Sequence, residues 1–173
     1  MSLLYNKGKY AVSLDVPETT LLLVLKNEKR HDVTMTLPIL PPEKENNLFH
    51  QNQLSFDASQ VKTKIKAGYK QNKFHFDMNV KMNINIVEQL FPEDSLKKAE
   101  LQKRIEKELQ RQFEGLIKKI QKHKIDPIGL GLYARAYQYD HYKKVESNWG
   151  EELAKSSVNV SVKIDINSTG AVK

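Results

Sequence analysis

The chain has no cysteine, so disulfides, thiolate metal sites and a cysteine nucleophile are excluded, and the redox compartment stays open. It has no long hydrophobic run either. The longest apolar stretch, Leu21 to Leu25, falls far below the about 20 residues that span a bilayer. No basic, apolar and small-residue sequence of an export signal follows Met1, and Met1-Ser2-Leu3 reads equally well as a cloning remnant. Glycine is scarce, seven in 173 residues, and there is no repeat, low-complexity tract, collagen-like period or disordered composition. What is present is ordinary for a globular protein: 39% hydrophobic and 28% charged residues. One compact domain of this length, alone or with an appendage, buries about 70% of the surface its unfolded chain exposes, enough for a core without staples.

The formal charge of +7 and pI near 9.4 would suit an anionic partner, either nucleic acid or a lipid headgroup surface. The charges are interspersed rather than blocked, however, which is the pattern of a solvated face.

From Phe74 to Ile86 every even position is apolar, and His75, Asp77, Asn79, Lys81, Asn83 and Asn85 fill the odd ones. Strict alternation predicts a strand with one buried and one wet face, about 40 Å long. A second such segment runs from Val158 to Ile166 and a third from Val61 to Tyr69, with Gly68 to Lys73 as the hairpin turn between the third and the long strand. Leu54, Phe56 and Ala58 alternate on the opposite parity to Val61, which predicts a bulge near Ser59-Gln60. Val33 to Ile39 reads as a further strand. Leu21 to Leu25 is expected to pair with it across a turn at Lys26 to Asp32, and Pro38, Pro41 and Pro42 mark the one internal boundary.

Between the long and the final strand the period changes to helical. Leu101, Ile105, Leu109, Phe113, Leu116, Ile117 and Ile120 share one face, and Pro92 to Ser95 carries helix-start chemistry. A helix from Asp94 to His123 would be about 45 Å long, enough to lie across the long strand. Its last turn is rich in lysine, where the helix dipole favours cations. Two shorter helical stretches follow, Leu132 to Tyr139 and Tyr142 to Lys155. The expected fold is α+β: a mostly antiparallel sheet with one long amphipathic helix packed across it, then shorter helices and a C-terminal strand.

No catalytic constellation emerges. His31, His50, His75, His123 and His141 are scattered over different elements without paired ligand spacing. His75 and Asp77 share a wet face, but two ligands make no metal site. Glu88 and Asp126 could each be half of a carboxylate pair, and each reads more simply as a cap or turn residue. Gly129-Leu130-Gly131 is too short for a dinucleotide fingerprint and reads as a tight turn entering a helix. Ser147, Ser156, Ser157 and Ser161 lack a nucleophile-elbow context. Tyr133, Tyr137, Tyr139 and Tyr142 sit at helical spacing, where packing accounts for them better than stacking on nucleic acid. No catalytic, cofactor-binding or metal residue is assigned, and no cofactor is expected.

An ordered set of segments resembles a known family. Ile125-Asp126-Pro127-Ile128-Gly129-Leu130-Gly131, then Ser147-Asn148-Trp149-Gly150, then Val158 to Ile164, together with the long strand ending Ile86-Val87-Glu88 and the charged helix after it, are similar to the C-terminal domain of the Ger(x)C spore germination lipoproteins. The resemblance is clearest over 54–173. The domain expected is 1–173, with 1–53 either part of it or the tail of a preceding domain. The resemblance implies a non-enzymatic C subunit of a nutrient germinant receptor; no nucleic-acid partner is expected from the residues themselves, which carry no recognisable DNA- or RNA-binding motif. It implies integral-membrane A and B type partner subunits. It also implies a lipid anchor on the full-length protein, at the outer face of the spore inner membrane, through a cysteine that this chain lacks. Asp126 and the glycines would then serve as a turn and Trp149 as a core anchor.

The function expected is scaffold or signal relay, through an exposed apolar patch such as Leu21 to Leu25 or Tyr133 to Tyr142. Two alternatives are a nutrient-binding sensor, which needs a concave pocket, and binding to anionic lipid through the basic helix end.

Overall fold

In the computed structural model the described residues are 1–6, 8–28, 33–39, 52–90 and 97–169. Among these the chain runs β1 (Ser2–Asn6), β2 (Lys9–Leu14), α1 (Val16–Leu25), β3 (Val33–Pro38), β4 (Gln53–Lys70), β5 (Lys73–Gln89) and α2 (Lys98–Lys122). It continues through α3 (Leu130–Tyr137), α4 (Tyr139–Val145), a 3₁₀ turn (Glu146–Asn148), α5 (Trp149–Lys155) and β6 (Ser157–Thr169).

The alternating segments form one four-stranded sheet in the order β3-β4-β5-β6, and β1 pairs with β2 in a separate hairpin. β3/β4 and β4/β5 are antiparallel, whereas β6 returns parallel to β5 after the helices. The α+β class, the long helix, the shorter helices and the closing strand are as the periodicity predicts. The β4–β5 turn is tighter than expected. Gln71 and Asn72, at φ 51° and 58°, form a two-residue turn, and Gly68 stays in the ladder opposite His75. Left-handed dihedrals at both central residues match the strand twist of a hairpin. The bulge falls where the parity change places it. Register shifts between Ser59 and Lys62, Gln60 adopts φ 47°, and the Asn83 amide donates to Gln60 Oε1 at 3.1 Å.

The reading of Leu21 to Leu25 as a strand beside Val33 to Ile39 is overturned: the segment is the second half of α1, and β3 pairs with β4. A five-residue apolar run carries no period, and the deciding signal lies upstream. Glu18 N–H donates to Asp15 Oδ1 at 2.8 Å and Asp15 N–H donates to Glu18 Oε2 at 3.0 Å, a reciprocal capping box with Pro17 in the first turn. Leu21, Leu22, Val24 and Leu25 then enter the core with Val12 and Leu14.

α2, at 25 residues, is about 37 Å long. It buries Leu101, Ile105, Leu109, Phe113, Leu116, Ile117 and Ile120 in the core and lies closest to β6, where Ile164 N–H donates to Glu106 Oε1 at 3.0 Å, and not across the long strand β5. The proposed helix start at Pro92 to Ser95 lies outside the described residues, as do Pro41 and Pro42. The helices share one face of the sheet. Thr63 Oγ1 donates to the Val24 carbonyl of α1, Tyr69 stacks on His141 of α4 at 3.7 Å, and Phe76 meets Trp149 of α5 edge-on. The opposite face, built from Lys62, Asn79, Lys81, Ser161 and Lys163, is open to water.

Candidate functional site

Where α2 ends the chain must reverse sharply. Lys124 takes φ 54°, Ile125 drops into the core and Asp126 follows. Its carboxylate gathers four donors. Oδ1 accepts from the backbone N–H groups of Gly129 (2.9 Å) and Leu130 (2.8 Å), and Oδ2 accepts from Gly131 N–H (2.7 Å) and Trp149 Nε1–H (2.8 Å). The backbone groups are those that the start of α3 leaves without intrahelical partners, and a carboxylate is the favoured charge there.

Three glycines make this closure possible, in two different ways. Gly129 adopts φ 87°, a left-handed conformation. Gly131 and Gly150 are needed for closeness: a Cβ on Gly131 would stand 2.8 Å from Trp149 Nε1, and one on Gly150 would overlap the Lys124 carbonyl oxygen. The indole then packs edge-on against Phe74 at 5.3 Å and tilts against Tyr142 at 5.3 Å. Asp126, Gly131, Trp149 and Gly150 thus lock the end of α2, the start of α3 and α5 onto β5. The residues expected as turn and core anchor come together as one unit, in which the carboxylate faces only donors.

Beside this lock lies an open groove of about 470 Å³, lined by Asn6, Lys124, Asp126, Asn148, Trp149 and Glu151. β1 forms one wall, and its Asn6 amide donates to the Lys124 carbonyl at 3.4 Å. Lys124 and Glu151 pair at 2.8 Å. On the rim stands Tyr5, edge-on to Tyr10 at 6.3 Å, and each residue is 60% exposed. Neither tyrosine drew notice in the sequence, because β1 and β2 are short and their alternation is weak.

A larger open hollow of about 780 Å³ runs beside α2 from Ile39 to Val162. Among its charges, Arg104 pairs with Glu100 and Arg111 with Glu108 along the helix, while Lys103 and Lys107 on the same wall have no carboxylate within ion-pairing distance among the described residues. Burial opposes ionisation of Glu108, but hydrogen bonds from Arg111 and Gln112 outweigh it and hold the carboxyl below its ordinary pKa.

The other candidates stay apart. His75 Nε2 lies 3.2 Å from the Lys70 carbonyl, and Asp77 accepts from the Asn159 amide at 3.1 Å. His123 caps α2, and Glu88 pairs in register with Ser55 near the end of β5. His31 and His50 lie outside the described residues. Among the described residues no group of three or more His, Asp or Glu side chains is arranged to hold a metal ion. Of the two expected patches, Leu21 to Leu25 is core apart from Leu23. In the other, Tyr133 and Tyr142 pack on the core while Tyr137 and Tyr139 are exposed, with Leu132 beside them in sequence and also exposed.

The sequence model of the family described as "Spore germination B3/ GerAC like, C-terminal" matches residues 1–170. The chain belongs to this family. The match takes in the β1–β2 hairpin, α1 and β3 as well as the Asp126 lock and the closing strand. The solved structure titled "Crystal Structure of the GerBC protein" superposes on this family member with a TM-score of 0.73 at 23% identity, and so shares its fold. The superposition covers 92% of this chain and 48% of that one, so the chain spans about half the length of the GerBC chain. No curated protein matches the chain at a comparable level. No described helix of this family member is long and apolar enough to cross a membrane.

Proposed function

We propose that this domain is a non-catalytic part of the C subunit of a spore nutrient germinant receptor, serving as scaffold or signal relay. Residues 1–173 act in this as one unit. The parent protein is lipid-anchored at the outer face of the spore inner membrane and works with integral-membrane A and B type subunits. Family membership supports the receptor assignment. The docking role rests on one observation above all, the exposed Tyr5–Tyr10 pair, whose Tyr5 stands at the mouth of the groove. Tyrosine is enriched among the few residues that carry most of the energy of a protein interface. The hairpin presents two such rings on a short two-stranded unit, against a hollow whose floor is held rigid by the Asp126 lock.

Removing both rings tests this. Tyr5→Ala with Tyr10→Ala in the full-length subunit should weaken co-purification with its partner subunits at least tenfold, as loss of a hot spot does. Thermal melting of the isolated domain should hold, since both rings are largely exposed. Undiminished assembly would remove the hairpin from the interface. On the same reading, amino acids, sugars and nucleosides at millimolar concentration should leave the domain's amide spectrum unshifted. Saturable shifts around the groove would instead make it a nutrient sensor.

A further inference from the structure

We propose that the open face of the four-stranded sheet is an electrostatic docking surface for an anionic lipid bilayer, centred on a row of lysines that crosses three strands. The ladder sets Lys62 of β4 directly opposite Lys81 of β5, and Lys81 directly opposite Lys163 of β6. Neighbouring strands lie about 4.8 Å apart, so three exposed ammonium groups occupy a row about 10 Å wide. Lys64 and Lys66 extend it along β4 on the same face. Like charges directly opposite one another destabilise a sheet, so stability alone gives no reason for the row. Among the described residues none of these five lysines lies within ion-pairing distance of a carboxylate.

The rest of the face narrows the partner. Its polar side chains already satisfy one another: Ser161 with Asn79 at 2.6 Å, Asn159 with Asp77 at 3.1 Å and Ser168 with Asn85 at 3.1 Å. Asp57, Asp77 (directly opposite Lys66) and Asp165 stand on the same face, but the five lysines outnumber these three carboxylates, so the face keeps a net positive charge. No tryptophan, tyrosine or arginine stands along the row to anchor a protein hot spot, stack a base or grip a carboxylate bidentately. Flexible, strongly hydrated lysine heads suit a diffuse field of anionic headgroups. The helices pack on the other face of the sheet, so they do not stand between the row and a flat surface. The basic end of α2 is the weaker candidate, because Lys119 is paired with Glu18 at 2.7 Å and Lys124 with Glu151 at 2.8 Å.

This surface is independent of the hairpin and groove, and it is tested with the 173-residue chain alone. Co-sedimentation with phosphatidylglycerol-rich vesicles in low salt should retain the chain, pure phosphatidylcholine vesicles should not, and salt of about 1 M, where the Debye length is about 3 Å, should release it. Each lysine near such a surface contributes about fivefold in affinity. Lys62→Gln, Lys81→Gln and Lys163→Gln together should therefore weaken binding on the order of a hundredfold. The same charge removed from α2, by Lys98→Gln, Lys118→Gln and Lys122→Gln, should change it only a few-fold. The triple Lys→Arg variant of the sheet row keeps the charge and should keep the binding. Failure to bind anionic vesicles, equal loss in both glutamine variants, retention in high salt or loss in the arginine variant would each overturn the proposal. Binding to polyglutamate without binding to vesicles would overturn it in favour of an acidic protein.

Discussion

Asp126→Ala should destabilise the domain by about 3–5 kcal/mol and lower its melting temperature by roughly 10 °C, on the scale expected for this chain length. The substitution removes one small side chain but strands three backbone N–H groups and the Trp149 indole N–H. A donor left without a partner loses about 1–3 kcal/mol, and partial relaxation toward water keeps the total below the simple sum. Asp126→Asn is not benign either. Its oxygen can still serve Gly129 and Leu130, but its NH₂ then faces Gly131 N–H and the indole N–H, donor against donor. Trp149 is the only tryptophan, so its fluorescence reports the lock directly. Emission should shift red in Asp126→Ala under native conditions, ahead of global unfolding. An unshifted spectrum with wild-type stability would show that the four hydrogen bonds carry little of the fold.

Gly150→Ala should be worse, about 4 kcal/mol or more, the range that single substitutions reach only through a definite structural fault. The added methyl meets the backbone of Lys124 at the reversal after α2. A flexible side chain would move aside at little cost, whereas a carbonyl fixed between α2 and the buried Ile125 cannot. Gly129→Ala is the instructive comparison. There the nearest atom to a new Cβ is the Leu132 Cδ1 at 3.6 Å, an ordinary contact, and the strain lies in φ 87° alone. A left-handed alanine costs about 1–2 kcal/mol. Denaturant midpoints of the two variants should therefore differ clearly, and equal midpoints would mean that the Lys124 reversal can yield.

The sheet was legible because most of its strands advertise a wet face. Phe74 to Ile86 and Val158 to Ile166 place their apolar residues correctly by alternation alone, and the parity change at Ser59 located the bulge. Alternation encodes exposure, though, and carries no direction, so nothing in Val158 to Ile166 declares that β6 runs parallel to its neighbour. Leu21 to Leu25 misled because five apolar residues fit either period. The helix was written in Asp15 and Glu18, which satisfy backbone groups, and in Pro17, whose missing N–H costs nothing in a first turn; none of the three is buried. The lock was half visible: Asp126 read as a turn residue, but that its carboxylate collects the indole of a residue 23 positions on requires the fold. The lysine row is hidden in the same way, since Lys62, Lys81 and Lys163 are unremarkable until the ladder sets them side by side.

The parallel return of β6 has a consequence for the order in which the molecule assembles. β4 and β5 are joined by two residues and can zip from their turn as soon as both are synthesised. β6 must wait, because its contacts with β5 bring together residues 82 apart in sequence, as Ser161 with Asn79. That closure becomes favourable once the intervening helices have shortened the path, since a long open loop is entropically costly to close. Until then the hydrogen-bonding edge of β5 stands bare, with the apolar face formed by its even-numbered residues from Phe74 to Ile86 beside it. A nascent chain halted before Ser157 therefore presents a long, unpaired and adhesive edge, and β6, arriving only after the helices, is the strand that seals it.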